Sequence, residues 1–154
     1  MGTVVQTIDN GDCLFAAFAI AFKGDALTKE RQQTLARNLR IQAVMQMLRP
    51  GFWKDVGGPI IDPADIVRLR ADRVPADLIA ATLRYPAKGS REAYRAIMRI
   101  PRTWGGHLEI KALSQVYKVR VILVGEGSEF TAAGHRYRKV IKMFYSGNHY
   151  SGIV

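Results

Sequence analysis

Cysteine is almost absent from this chain: Cys13 is the only one in 154 residues. A single thiol forms no intrachain disulfide and no multi-cysteine zinc site, which suits a reducing, cytoplasmic setting. Histidine is scarce too, and His107, His135 and His149 are scattered without the spacing of metal ligands, so no metal and no other cofactor is expected. Acidic residues are outnumbered, 13 Asp and Glu against 23 Lys and Arg, leaving a formal net charge of +10 at pH 7. No stretch has the length and purity of a membrane span, and the N-terminus lacks the basic region and apolar run of a signal peptide. What is present, 48% apolar and 23% charged residues with no repeat or linker, fits one domain over 1–154 with room for a substantial core.

The lone cysteine sits in an unusual place. Asp9-Asn10-Gly11-Asp12 before it is turn-forming, and the apolar, alanine-rich run from Cys13 to Phe22 reads as a buried helix. A thiol where a loop enters a helix meets the positive end of the helix dipole and loop amides able to face an oxyanion. A cysteine selected only for packing has no need of those turn residues. His149, in the aromatic segment Gly147-Asn148-His149-Tyr150, supplies a general base. The pair reads as a cysteine protease.

Along the chain, Val4 to Thr7 is a short strand candidate. Thr28 to Leu48 reads as an amphipathic helix with Leu35, Leu39, Val44 and Leu48 inward and Lys29, Arg31, Arg37 and Arg40 solvated. Pro50-Gly51 stops it. Asp62-Pro63 and Val74-Pro75 mark helix starts, Ser90 is placed to cap the next helix, and Gly105 to Tyr117 is another. Val119–Val124, Tyr137–Tyr145 and Asn148–Val154 read as strands. The fold class is therefore α+β, a small twisted sheet flanked by helical regions.

Three separated segments resemble the ovarian-tumour (OTU) family of cysteine proteases, most of whose known members are deubiquitinases. Asn10-Gly11-Asp12-Cys13-Leu14-Phe15 is similar to the family's Asp-Gly-Asn-Cys-Leu/Phe-Phe/Tyr. Thr103-Trp104-Gly105-Gly106-His107-Leu108-Glu109, continuing into Val119–Val124, resembles its Trp-Gly-Gly-x-x-Glu helix and core strand. Asn148-His149-Tyr150 resembles its closing His-Tyr-Asp/Asn. The resemblance implies five or so mainly antiparallel strands, Cys13 as nucleophile and His149 as base in a thiolate–imidazolium pair, and an oxyanion hole from the main chain of Asn10, Gly11, Asp12 and Cys13. Trp104-Gly105-Gly106 has two readings: glycines that let a helix start against the sheet without a clash while Glu109 satisfies a nearby donor, or a place for Trp104, with Tyr150, beside a channel for a Gly-Gly tail. Gly11 is expected to provide a tight turn through a positive φ.

Two positions depart from the pattern. Asp and Asn are exchanged around Gly11. The acid or amide that normally orients the imidazole two residues after the histidine is replaced by Ser151, leaving Ser151, Asn148 and Asp9 as candidates for a third member, or a Cys-His dyad. The implied activity is removal of ubiquitin or a ubiquitin-like protein, in the host cytosol if the chain is part of a viral or bacterial effector. The alternatives are a polyprotein-processing protease of the same fold and a non-catalytic domain that binds RNA or ubiquitin. The charge of +10, with clusters at His135–Lys139 and at Arg68, Arg70 and Arg73, points to an anionic partner such as an acidic modifier, RNA or a membrane surface.

Overall fold

The computed structural model describes residues 2–147 and 149–154, so Asn148 lies outside the described residues. Five strands, β1 (Val4–Val5), β2 (Val119–Gly125), β3 (Ser128–Ala133), β4 (Lys139–Ser146) and β5 (His149–Ile153), form one sheet in the order β1-β5-β4-β2-β3. Pairing is antiparallel for β1 with β5, β5 with β4 and β2 with β3, and parallel for β2 with β4. The protein is thus α+β with a mixed, mainly antiparallel sheet. The edge strand β3, Ser-Glu-Phe-Thr-Ala-Ala, has no pattern that marks it in sequence; it forms because it follows a turn at Glu126-Gly127 and pairs back onto β2, with Phe130 left exposed.

Six helices cover the sheet and form a separate helical region. α1 (Cys13–Lys23) is buried along its first nine residues and ends at Gly24, whose φ of 69° closes the helix with an N–H to the Ile20 carbonyl. α2 (Lys29–Gln46) starts at Thr28, whose hydroxyl accepts the Arg31 N–H, and buries Gln32, Ala36, Leu39, Arg40, Ala43 and Val44 on one face. Two expectations fail here. Leu48 lies past the end of the helix and is 60% exposed, whereas Arg40 is buried rather than solvated. Its partner is Asp12, on the loop that carries the cysteine.

After a 3-10 turn at Pro50–Trp53 come α3 (Pro63–Ala71), α4 (Ala76–Leu83) and α5 (Ser90–Arg99). Asp62 caps α3 by accepting the Ala64 N–H. Ser90 does not cap α5: that position is Gly89, at φ 88°, and the Ser90 hydroxyl instead donates to the Ala87 carbonyl. α6 (His107–Tyr117) packs against α2 and the sheet. Its first turn is closed by Glu109, which accepts the Gly106 N–H at 2.6 Å.

α1 runs directly across β5. A side chain at Gly152 would overlap Ile20, so the glycine lets helix and strand approach until their backbones nearly touch. That contact brings the start of α1 and the start of β5 together, although Cys13 and His149 are 136 positions apart.

Candidate active site

The cysteine loop is held from outside by a buried ion pair. Asp12 Oδ1 accepts from Arg40 Nη2 at 2.6 Å and from the Arg102 N–H at 3.2 Å, while Oδ2 accepts from Gln33 Nε2 at 2.8 Å. Arg40 also donates to the carbonyls of Met98 and Thr103 at 2.9 and 2.6 Å, and its guanidinium lies 4.6 Å over the Phe15 ring. Burial works against the Asp12 charge, but Arg40, Gln33 and the Arg102 amide outweigh it and hold the carboxyl below its ordinary value. The exchange of Asp and Asn around Gly11 is therefore matched by a buried arginine. One helix, α2, and the segment before α6 are tied to the residue preceding the thiol.

Asn10 shapes the inside of the same loop. Its side-chain oxygen accepts the Asp12 N–H at 2.8 Å and its carbonyl accepts the Cys13 N–H at 3.1 Å. Two of the four amides expected to face an oxyanion are thus occupied within the loop. Gly11 is required for a reason other than the expected one. Its φ is not positive; instead the Arg102 carbonyl stands where a Cβ would be.

Cys13 is fully buried at the first position of α1. Burial pushes its thiol up from the ordinary value and Asp9 adds to the rise, while the N–H groups of Tyr150 and Leu14 act in the other direction. Burial thus acts against the thiolate of the thiolate–imidazolium pair that the resemblance implies. The helix N-terminus favours the anion, but complete enclosure outweighs it. No hydrogen bond joins the thiol to the His149 ring among the described residues.

β5 runs on past the short β1, whose last partner is Gly152. The inward N–H and C=O of Tyr150 consequently lack a partner strand. They are taken up by the cysteine loop: the N–H faces the Cys13 sulfur, and the carbonyl accepts the Thr7 hydroxyl at 2.5 Å. The side chain of Tyr150 is buried, 4.5 Å from the Tyr145 ring and close enough to Cys13 for a charge there to act on the phenol, so this residue meets the site through both backbone and ring. Burial, then Tyr145, keeps its phenol protonated.

His149 opens β5 and is half-buried. Its Nε2 lies 2.9 Å from Thr7 Oγ1, and its Nδ1 has no hydrogen-bond partner among the described residues although it is shut off from solvent. The Asp9 carboxylate, on a side chain that is 96% exposed, stands 3.8 Å from Nδ1. Ser151 is buried on β5 and makes no side-chain hydrogen bond to the ring. Of the three candidates for orienting the imidazole, Asp9 stands at Nδ1 beyond hydrogen-bond distance, Ser151 makes no hydrogen bond to the ring and Asn148 is outside the described residues. Thr7, six residues before the nucleophile, touches the ring. Sequence gave no reason to single it out, since it reads as the last residue of a strand.

Trp104, Gly105 and Gly106 enter α6 beside the first turn of α1. The Gly105 Cα is close enough to Leu14 and Phe15 that an added Cβ would press on both at 3.3 and 3.4 Å. The same segment forms one wall of a groove of about 1100 Å³ that continues past Ile60, Ile61, Arg68 and the basic turn His135-Arg136-Tyr137. Arg68 stacks 4.6 Å over the Trp104 ring. Neither Cys13 nor His149 is in its walls. His107 is exposed at the start of α6. Under the groove, Glu109 is completely buried, accepts the Tyr94 hydroxyl at 2.6 Å and has its pKa raised by burial to about 7, against the two hydrogen bonds that favour its charge.

The family described as OTU-like cysteine protease matches residues 8–150. Among solved structures, the OTU domain of OTUD1 is similar at 18% identity and a TM-score of 0.63, covering 99% of this chain and 85% of that one. An OTU deubiquitinase of Wolbachia pipientis wMel bound to ubiquitin gives 15% identity and 0.60, covering 99% and 95%. The viral OTU domain protease of Taggert virus gives 17% and 0.59, covering 99% and 78%. At these identities the structural likeness shows the fold. No curated protein matches this chain in sequence.

Proposed function

The chain belongs to the OTU-like cysteine protease family, and from that premise we propose that it is a deubiquitinase, with Cys13 as nucleophile and His149 as general base. The observation that carries the reading is the meeting of α1 and β5. It sets the only thiol of the chain against the Tyr150 N–H, next to a histidine whose Nδ1 is enclosed and unpartnered. An enclosed imidazole nitrogen without a partner costs stability, a cost met more often at functional sites than elsewhere.

With burial acting against the thiolate, the proposed attack is coupled to proton transfer. As Sγ bonds to the carbonyl carbon of the scissile bond, its proton passes to Nδ1, and the carbonyl oxygen becomes an oxyanion. Collapse expels the amine, which takes the proton from the imidazolium and leaves an acyl-enzyme for water to hydrolyse with His149 again as base. The oxyanion would draw on the amides of Asn10 to Cys13, each donor being worth about 2.7–4 kcal/mol in comparable sites. For the Cys13 amide this means exchanging the Asn10 carbonyl for the oxyanion. The extended tail of ubiquitin would approach past Trp104 and the two glycines, where the bare backbone of Gly105 and Gly106 leaves room for a chain ending in glycine.

Cleavage of ubiquitin chains and of a ubiquitin–fluorophore amide by the wild type, Cys13→Ala and His149→Ala tests the reading. Turnover by the wild type, none by Cys13→Ala and a fall of several orders of magnitude for His149→Ala are expected. Turnover retained by Cys13→Ala contradicts it.

A further inference from the structure

The hydroxyl of Thr7 has a single proton, and the distances fix where it goes. Oγ1 and the Tyr150 carbonyl oxygen stand 2.5 Å apart. Two oxygens approach so closely only with a hydrogen between them, and the carbonyl has none to give. Thr7 therefore donates to Tyr150 and has only lone pairs to offer the ring nitrogen 2.9 Å away. From this we infer that Thr7 is the positioning residue of the site: it accepts a proton-bearing Nε2, locks His149 in the Nε2–H tautomer and leaves the Nδ1 lone pair free as the base.

This deepens the proposed function and rests on its assignment of His149. With the proton on Nε2, Nδ1 is an acceptor, and no donor among the described residues meets it, so its lone pair is free. The charged group facing Nδ1 is the Asp9 carboxylate, 3.8 Å away on the loop before α1, and the same carboxylate acts on the Cys13 thiol. A hydroxyl fixes the tautomer as a carboxylate does but brings no charge, so the imidazolium gains less. The Tyr150 peptide completes the circuit by holding Thr7 through its carbonyl and Cys13 through its N–H.

Two-bond ¹H–¹⁵N correlation spectra of the ¹⁵N-histidine-labelled wild-type chain test this without any substitution. At a pH where His149 is neutral, Nε2 is expected at the shift of a protonated nitrogen and Nδ1 at that of an unprotonated one. The reverse assignment, or an even mixture, overturns the inference. Thr7→Val is expected to mix the tautomers and to lower kcat about 10- to 100-fold, the size seen when a histidine's outer partner is lost, with KM little changed. Thr7→Ser should restore both. Unchanged kcat and an unchanged tautomer in Thr7→Val also overturn it. Should Thr7→Val not fold, the wild-type spectrum and Thr7→Ser decide. A wild type that cleaves no ubiquitin substrate refutes the proposed activity, whereas the tautomer is read independently of any substrate.

Discussion

Asp12 and Arg40 meet at 2.6 Å with side chains only 2% and 4% exposed, which makes the residue before the nucleophile one half of the best-buried ion pair in the described structure. Breaking such a pair leaves an uncompensated charge in the interior. Arg40→Ala or Asp12→Ala is expected to cost about 3–5 kcal/mol in urea unfolding and to abolish activity. Stability should also respond to acid: with its folded pKa depressed, Asp12 contributes fully above its unfolded pKa near 3.9, and that contribution disappears as pH falls through the lower folded value. Arg40→Ala should remove this acid-sensitive part of the profile.

Gly11→Ala should be as damaging as the loss of a buried side chain, because the added methyl overlaps the Arg102 carbonyl and backbone on both sides would have to separate. A loss of about 3 kcal/mol or more in thermal or urea unfolding is expected. A silent substitution would show that the loop is not packed on Arg102 in solution.

Glu109 gives the opposite pH behaviour to Asp12. Its pKa rises from 4.5 in the unfolded chain to about 7 in the fold, so between those values the folded state binds the extra proton and stability falls as pH rises. The total is on the order of 3 kcal/mol, complete above pH 7. Glu109→Gln, which keeps an acceptor for the Gly106 N–H, should flatten unfolding free energy across pH 5–7. A slope unchanged by that substitution would assign the titration elsewhere.

The resting thiol should be slow toward small alkylating agents. With burial and Asp9 raising its pKa, the rate with iodoacetamide is expected to climb only above pH 9, without a plateau of thiolate reactivity at neutral pH. A fast, pH-independent rate between pH 6 and 8 would mean that the ion pair is already formed.

Much of this was legible in the sequence, and the failures have a common cause. The helices were visible because their periodicity and caps are local: Thr28, Asp62-Pro63 and Gly24 act on residues within one turn. Cys13 and His149 were visible through the residues around them. Arg40 read as solvated because its partner is 28 positions away and no helical pattern anticipates a carboxylate arriving from a loop. Thr7 was invisible for the same reason, its contact with His149 spanning 142 positions, and β3 because a strand of small and polar residues is made by its neighbour rather than by its own pattern. Gly11 was identified with the wrong mechanism, since whether a glycine answers a torsion angle or a neighbouring backbone depends on what packs there.

The central claim, a ubiquitin-specific thiol at Cys13, is tested most directly by incubating the wild type and Cys13→Ala with ubiquitin carrying a C-terminal electrophile and weighing the products by intact-protein and peptide mass spectrometry. The account predicts a single covalent adduct on Cys13 of the wild type at neutral pH, none on Cys13→Ala, and a much slower adduct on His149→Ala. A wild type that remains unmodified while iodoacetamide still reaches its thiol would contradict it.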